Sequence, residues 1–237
     1  MIDNTGERIL LEHESALMIA RHFCAYKFAQ TFCNRDTRVL DIGCGEGYGI
    51  HYLAEFAKTA TGIDYSTEAI EYAAKKYQRG NLEFIVHDMR ALRLLNKRFD
   101  LICSFQVIEH LKEAVEFLGG IQSLLEERAV FLCSTPNKFD ASPHSEVPCN
   151  KFHLKEYEAG EFRELLGRYF SSVDMFGLKR SKKFNFYRRI KKIGLCNFFS
   201  DSINPVKRFY QRMDCSSFVL SKDNLDTALD FIAVCRI

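Results

Sequence analysis

Four glycines at alternate positions, Gly43, Gly45, Gly47 and Gly49, follow the run Val39-Leu40-Asp41-Ile42. Glycine there lets the main chain approach a ligand closely and take dihedrals that a Cβ forbids, while the helix that follows offers unpaired N–H groups. That is the chemistry of a nucleotide-binding loop. A phosphate loop of the GxxxxGK[ST] type needs a lysine that this stretch lacks, which argues against NTP hydrolysis. The dinucleotide fingerprint GxGxxG needs a small residue where Tyr48 stands, so NAD is disfavoured. An adenosyl group bearing an amino-acid tail remains. Asp64 stands nineteen residues beyond Gly45, near the spacing at which a βαβ unit brings a carboxylate to a ribose diol, and it can accept a hydrogen bond from each hydroxyl. Tyr65 beside it could cover the adenine face. The competing role for an acid here, capping the next helix, suits Ser66 better.

The elements that must position these residues follow from periodicity. Leu17, Ala20, Phe23, Cys24, Phe28 and Phe32 recur at helical spacing within 11–32. A helix over 50–57 follows the glycine loop, and strand 60–63 delivers Asp64. A helix over 67–77 is expected to stop at Gly80. Strands 82–86, 99–105 and 129–134 follow, with a helix over 111–125 between the last two. A helix over 161–170 and a strand over 173–178 come next. This alternation predicts a doubly wound, mostly parallel α/β sheet with ligands outside the carboxyl ends of its strands.

The chain has 237 residues and a formal charge of +2, a length that suits one sizeable domain, read as 1–237. So small a charge gives no global reason to bind a polyanion. Nine scattered cysteines, odd in number and without a CxxC pair, suit reduced thiols in a cytosol and argue against a disulfide framework or a zinc cluster. No eighteen apolar residues run together and the start carries acids, so a cytoplasmic protein is expected.

The stretch from Val39 to Gly49 resembles motif I of the class I S-adenosylmethionine-dependent methyltransferases. The resemblance implies a Rossmann-like sheet of seven strands, with Phe231–Cys235 as the antiparallel seventh. It implies S-adenosylmethionine as cofactor, held by Asp41, Gly43, Cys44, Gly45, Gly47, Asp64, Tyr65, Asp88, Met89, Phe105 and Gln106. In that family an acid after the third strand, here Asp88, reaches the adenine amino group. Gly6-Glu7-Arg8 and Ser134-Thr135-Pro136-Asn137 are similar to a bacterial branch that often accompanies polysaccharide or glycolipid assembly. A sugar hydroxyl of a glycan or lipid-linked glycan is therefore the first acceptor expected. Phenolic quinone precursors and RNA ribose come after it, and a non-catalytic adenosyl-binding module is the alternative of another class.

Methyl transfer from a sulfonium is an in-line displacement served by orientation, and an alcohol acceptor must also lose a proton. If the segment leaving the fourth strand begins a helix, Gln106, Glu109 and His110 share one face. Ubiquinone-biosynthesis O-methyltransferases and small-RNA 3′-terminal ribose methyltransferases have a similar segment, with glutamate in place of Gln106. In the RNA enzymes the two glutamates, this histidine and a later one hold magnesium. His153 falls at the matching place, so Glu109, His110 and His153 form a candidate catalytic or Mg²⁺ cluster. The neutral Gln106 tilts the reading toward a metal-free site in which a histidine takes the proton. Capping or loop anchoring would be the structural role of the same histidines. His144 is a weaker candidate, and the polar loop 137–150 is expected to shape the acceptor side.

Residues 179–212 carry eleven Lys and Arg against the single acid Asp201. This marks 179–217 as a basic insertion between strands six and seven. Phe186, Ile190 and Ile193 fall at i, i+4 and i+7 among the cations, a pattern suited to an anionic membrane surface, which would place the protein at the periphery of the inner membrane. The same residues could hold a phosphorylated or nucleic-acid substrate, or pack on the domain.

Overall fold

The computed structural model describes residues 11–112, 114–194, 196, 198–200 and 203–237. The Gly6-Glu7-Arg8 opening lies outside them. In chain order the elements are α1 (Ala16–Gln30), β1 (Arg38–Ile42), α2 (Tyr48–Leu53), β2 (Thr59–Asp64), α3 (Thr67–Lys76), β3 (Leu82–Val86), β4 (Phe99–Phe105) and α4 (Ala114–Leu124). β5 (Leu125–Pro136), α5 (Lys138–Ala141), α6 (Ala159–Gly167), β6 (Ser172–Arg180), α7 (Lys182–Ile193), α8 (Pro205–Gln211), β7 (Phe218–Ser221) and β8 (Asp230–Arg236) complete them.

The sheet order is β3-β2-β1-β4-β5-β8-β6-β7. β1 to β5 are parallel, while β8 runs antiparallel between β5 and β6. The chain leaves β1 in one direction for β2 and β3 and returns to β4 on the other side. That reversal opens a crevice beyond the carboxyl ends of β1 and β4.

The sheet has eight strands, not seven. β6 runs on to Arg180, and its last four residues pair antiparallel with β7. The short return strand covers an edge that would otherwise present unpaired N–H and C=O groups. A smaller correction concerns α3, which ends at Lys76 with Tyr77 already extended, so Gly80 belongs to the turn before β3.

Leu101, Ile102 and Cys103 on β4 and Phe131, Leu132 and Cys133 on β5 are fully buried, as expected of strands covered on both faces. On one face Ile102 and Phe131 join Phe117, Ile121 and Phe162 from α4 and α6. On the other, Leu101 and Leu132 meet Ala29, Ile50 and Leu53 from α1 and α2. Each fully buried Leu or Phe side chain contributes about 1.5–3 kcal/mol, so these layers hold the strand ends firmly. All nine cysteines are free thiols. Among the described residues no helix is long and apolar enough to cross a membrane.

Candidate active site

The glycine loop turns through left-handed dihedrals at Gly43, Gly45 and Gly47, with φ of 76°, 52° and 83°. At Gly45 a Cβ would meet nothing, so the demand there is purely one of backbone conformation. Gly49 answers a different demand, because a Cβ would lie 2.0 Å from the Tyr26 ring of α1. Gly43 and Cys44 N–H donate to the Ile63 carbonyl at 2.8 and 3.0 Å, which binds the loop to the end of β2. Gly45 N–H then donates to Asp64 Oδ2 at 3.0 Å, and Ser66 N–H to Oδ1 at 2.9 Å. Each carboxylate oxygen so held retains acceptor capacity for a diol.

A cavity of about 510 Å³ opens above this loop. Gly43, Cys44, Gly45, Asp64, Tyr65, Met89, Phe105 and Gln106 line it. Glu46 and Tyr48 also form wall. Glu46 Oε2 accepts from Leu11 N–H at 3.0 Å, and Tyr48 packs edge-on against Tyr26 with centroids 5.7 Å apart.

Three expected cofactor residues do not line the cavity. Gly47 caps α2 from below the loop. Asp41 is buried beneath it, where desolvation pushes its carboxyl up to about 8. Tyr26 Oη donates to its Oδ2 at 3.0 Å, and Oδ1 has no hydrogen-bond partner among the described residues. Asp88 sits in a shallow neighbouring depression shared with Tyr65 and Met89. Both its oxygens accept from the Arg90 guanidinium, whose hydrogen bonds hold the carboxyl down at about 2.

The segment leaving β4 does not begin a helix. Gln106 takes a left-handed φ of 57° and only Ile108–His110 form a 3-10 turn, so Gln106, Glu109 and His110 do not share a helical face. They reach the same cavity because the chain bends there. The bend is held by Gln106 N–H donating to the Ser134 carbonyl at 3.1 Å, with Gln106 Nε2 on Ser134 Oγ at 3.2 Å. A non-glycine residue in this region stores strain, which clusters at functional sites.

Beyond it the structure brings Glu109, His110 and His153 together, one ligand atom of each lying within 4.8 Å of the others. The main chain makes the junction. The Glu109 carbonyl accepts from Leu154 and Lys155 N–H at 2.8 and 3.1 Å, and His110 Nδ1 donates to the Phe152 carbonyl at 2.9 Å. The two imidazoles meet edge to face at 5.0 Å. Glu109 is buried, and desolvation pushes its carboxyl up to about 8, although Thr135 Oγ1 donates to Oε2 at 3.2 Å. Its Oε1 has no hydrogen-bond partner among the described residues.

The cavity also holds residues that the motifs do not single out. His153 Nδ1 donates to the buried Glu156 Oε1 at 2.7 Å, leaving its Nε2 lone pair to accept from Asn150 Nδ2 at 2.9 Å. Glu156 at i+3 from His153 was the available hint. α1 contributes Met18, Arg21 and His22 to the wall. The Arg21 guanidinium donates twice to Asp230, each at 2.6 Å, and burial drives the His22 imidazole down to about 4. Polar residues interrupting the apolar stripe Ala20, Cys24 and Ala25 were the signal here. His144 does not line the cavity, whereas Asp140, Ala141 and Asn150 from its loop do.

The cluster does not fit magnesium. Two of its three donors are imidazole nitrogens, Asn150 takes the lone pair of His153, and Gln106 stands where a second carboxylate would be wanted. Magnesium favours several oxygen ligands in octahedral array.

Residues 33–176 match the family described as a methyltransferase domain. A probable S-adenosylmethionine-dependent methyltransferase of Mycolicibacterium smegmatis is 36% identical over 165 residues, covering 68% of this chain and 62% of that protein. The ubiquinone biosynthesis O-methyltransferase of Actinobacillus pleuropneumoniae is 30% identical over 110 residues, covering 43% of this chain and 46% of that enzyme. The chain thus spans less than two thirds of the length of either relative. In fold it is similar to a SAM-dependent methyltransferase from Archaeoglobus fulgidus, with TM-score 0.60, 16% identity, and 94% and 95% of the two chains covered. A glycine loop tied to an acid at the tip of β2, on a sheet of this order, and a family match over most of that sheet lead to one conclusion: the chain belongs to the methyltransferase-domain family.

Proposed function

We propose that the protein is an S-adenosylmethionine-dependent O-methyltransferase whose acceptor is a sugar hydroxyl of a glycan or lipid-linked glycan, with 1–237 acting as one domain. One observation carries this reading: a single cavity joins the carboxylate of Asp64 to the His153–Glu156 pair. The ribose diol of the donor sits on Asp64, with Tyr65 and Met89 toward its base. Asp88 serves the adenine amino group only by releasing Arg90. Phe105 and Gln106 lie where the sulfonium passes from donor end to acceptor end.

Attack forms the O–CH3 bond as the CH3–S bond breaks, and the bonding pair returns to sulfur. The hydroxyl proton goes to His153 Nε2 once Asn150 yields that position to substrate. Glu156 steadies the imidazolium, as a carboxylate behind a general-base histidine does. His110 holds the substrate side of the pair, and Glu109, neutral at pH 7, keeps repulsive charge away from Glu156. No step is assigned to a metal.

A phenol acceptor is the second reading, favoured by the likeness to the ubiquinone enzyme. A phenol ionises far more readily than an alcohol and gains less from a base, so a His153 backed by the buried Glu156 supports the alcohol. Turnover of methyl-labelled donor against glycan, lipid and phenol fractions tests the choice. Label in an alkali-stable ether on a glycan or lipid-linked glycan is the expected result, and label in the phenols would replace it.

A further inference from the structure

We infer that α7 and the segment after it form a docking face for an anionic lipid bilayer, which sets the mouth of the cleft against the membrane. From Ser181 to Ser200 the sequence has six Lys and Arg and no acid. Ser181 Oγ accepts from Phe184 N–H and starts the helix. Its inner side is anchored: Phe184 is 3% exposed and meets Phe218 edge-on at 5.6 Å, and Tyr187 stacks on Phe209 of α8 at 4.2 Å.

The outer side carries the unexplained residues. Phe186 is 59% and Ile193 67% exposed, and beyond the helix Phe198 is 97% and Ile203 59% exposed. Lys182, Arg189 and Lys192 are exposed around them. Apolar side chains ringed by cations match the acyl boundary and headgroups of a bilayer containing acidic lipid. Nucleic acid would satisfy the cations and leave the isoleucines unserved, because bases stack on aromatic rings.

Position gives the face a purpose. β6 runs in the same direction as β5, both being antiparallel to β8, so Arg180 emerges at the edge that carries Asp64. Arg180 donates to Asp140 Oδ1 at 3.1 Å, and Asp140 lines the cavity. α7 therefore springs from the rim of the cleft, and an acceptor held in the lipid plane would meet the cavity from that side.

Sedimentation of the full chain with vesicles tests the inference, and it needs neither donor nor turnover, so its outcome is independent of the methyl-transfer reading. Binding is expected to vesicles of phosphatidylcholine with phosphatidylglycerol, to weaken with salt, and to fall about tenfold or more in F186S/I193S and in R189E/K192E. All four side chains face solvent, so unchanged circular dichroism is expected of both variants. Three results would overturn it: no sedimentation with the acidic vesicles, sedimentation unaltered in F186S/I193S, or tighter binding to a single-stranded RNA oligonucleotide than to the vesicles at equal salt.

Discussion

The two ends of the cleft are built from different materials. At the donor end the carboxylate of Asp64 is held by main-chain N–H groups of Gly45 and Ser66, on a loop tied by its own backbone to β2. At the proposed acceptor end side chains hold side chains, His153 between Glu156 and Asn150, with only its loop fixed by main chain. Backbone-held geometry follows from the strand order and tolerates many side chains around it. A geometry made of side-chain bonds is lost with one of them.

The largest effect expected is on turnover at the acceptor end. His153→Ala should lower kcat about 10²–10⁴-fold, the range a general base supplies, with affinity for S-adenosylhomocysteine within about twofold. Glu156→Gln should lower kcat less and distort its pH profile, marking a positioning residue. If H153A turns over normally, the acceptor end has been misplaced. At the donor end Asp64→Ala should weaken S-adenosylhomocysteine about 10²-fold by calorimetry, since charged hydrogen bonds are each worth about 1.5–3 kcal/mol. Loss of kcat at unchanged affinity would break the division of labour between the ends.

Glu109 makes a pH prediction. Its carboxyl titrates at about 8 in the folded chain against 4.5 as its ordinary value. Between these the folded state holds a proton that the unfolded state has lost, so stability falls as pH rises through the window and levels off above about 8. Asp41 acts with the same sign. Glu109→Gln should therefore be the more stable protein at pH 8, by about one to a few kcal/mol in urea denaturation, with the gain shrinking toward pH 5. Tyr26→Phe, which removes a bond to a buried acceptor, should cost about 1–2 kcal/mol. The smallest effect is none at all: a chelator should leave turnover unchanged, and loss restored by a divalent cation would replace the histidine base with a metal.

The junction of the glycine loop with Asp64 was legible because alternate glycines and an acid at a fixed distance follow from one βαβ unit, whatever surrounds it. The antiparallel β8 was expected from the likeness to the methyltransferases, whereas the strand order, with β8 between β5 and β6, is seen only in the folded chain. Gln106 was not legible: nothing in Ser104–His110 reveals a left-handed residue, and helical spacing gave the right companions for the wrong reason. The His153–Glu156 pair depends on how Leu154 and Lys155 dock on Glu109, a loop-to-turn contact without periodicity. Order was expected to return at 218–220, just past the basic insertion, but nothing in so short a run reveals that it pairs with the end of β6 as an eighth strand.

Arg21 reaches Asp230 across 209 residues of sequence, fastening the α1 wall of the cavity to β8. A nascent chain that has emerged only as far as β5 already owns its glycine loop but lacks that clasp. Closure of that wall therefore waits until β8 slides between β5 and β6, so nascent chains that still lack β8 should hold S-adenosylhomocysteine more weakly than chains that have it.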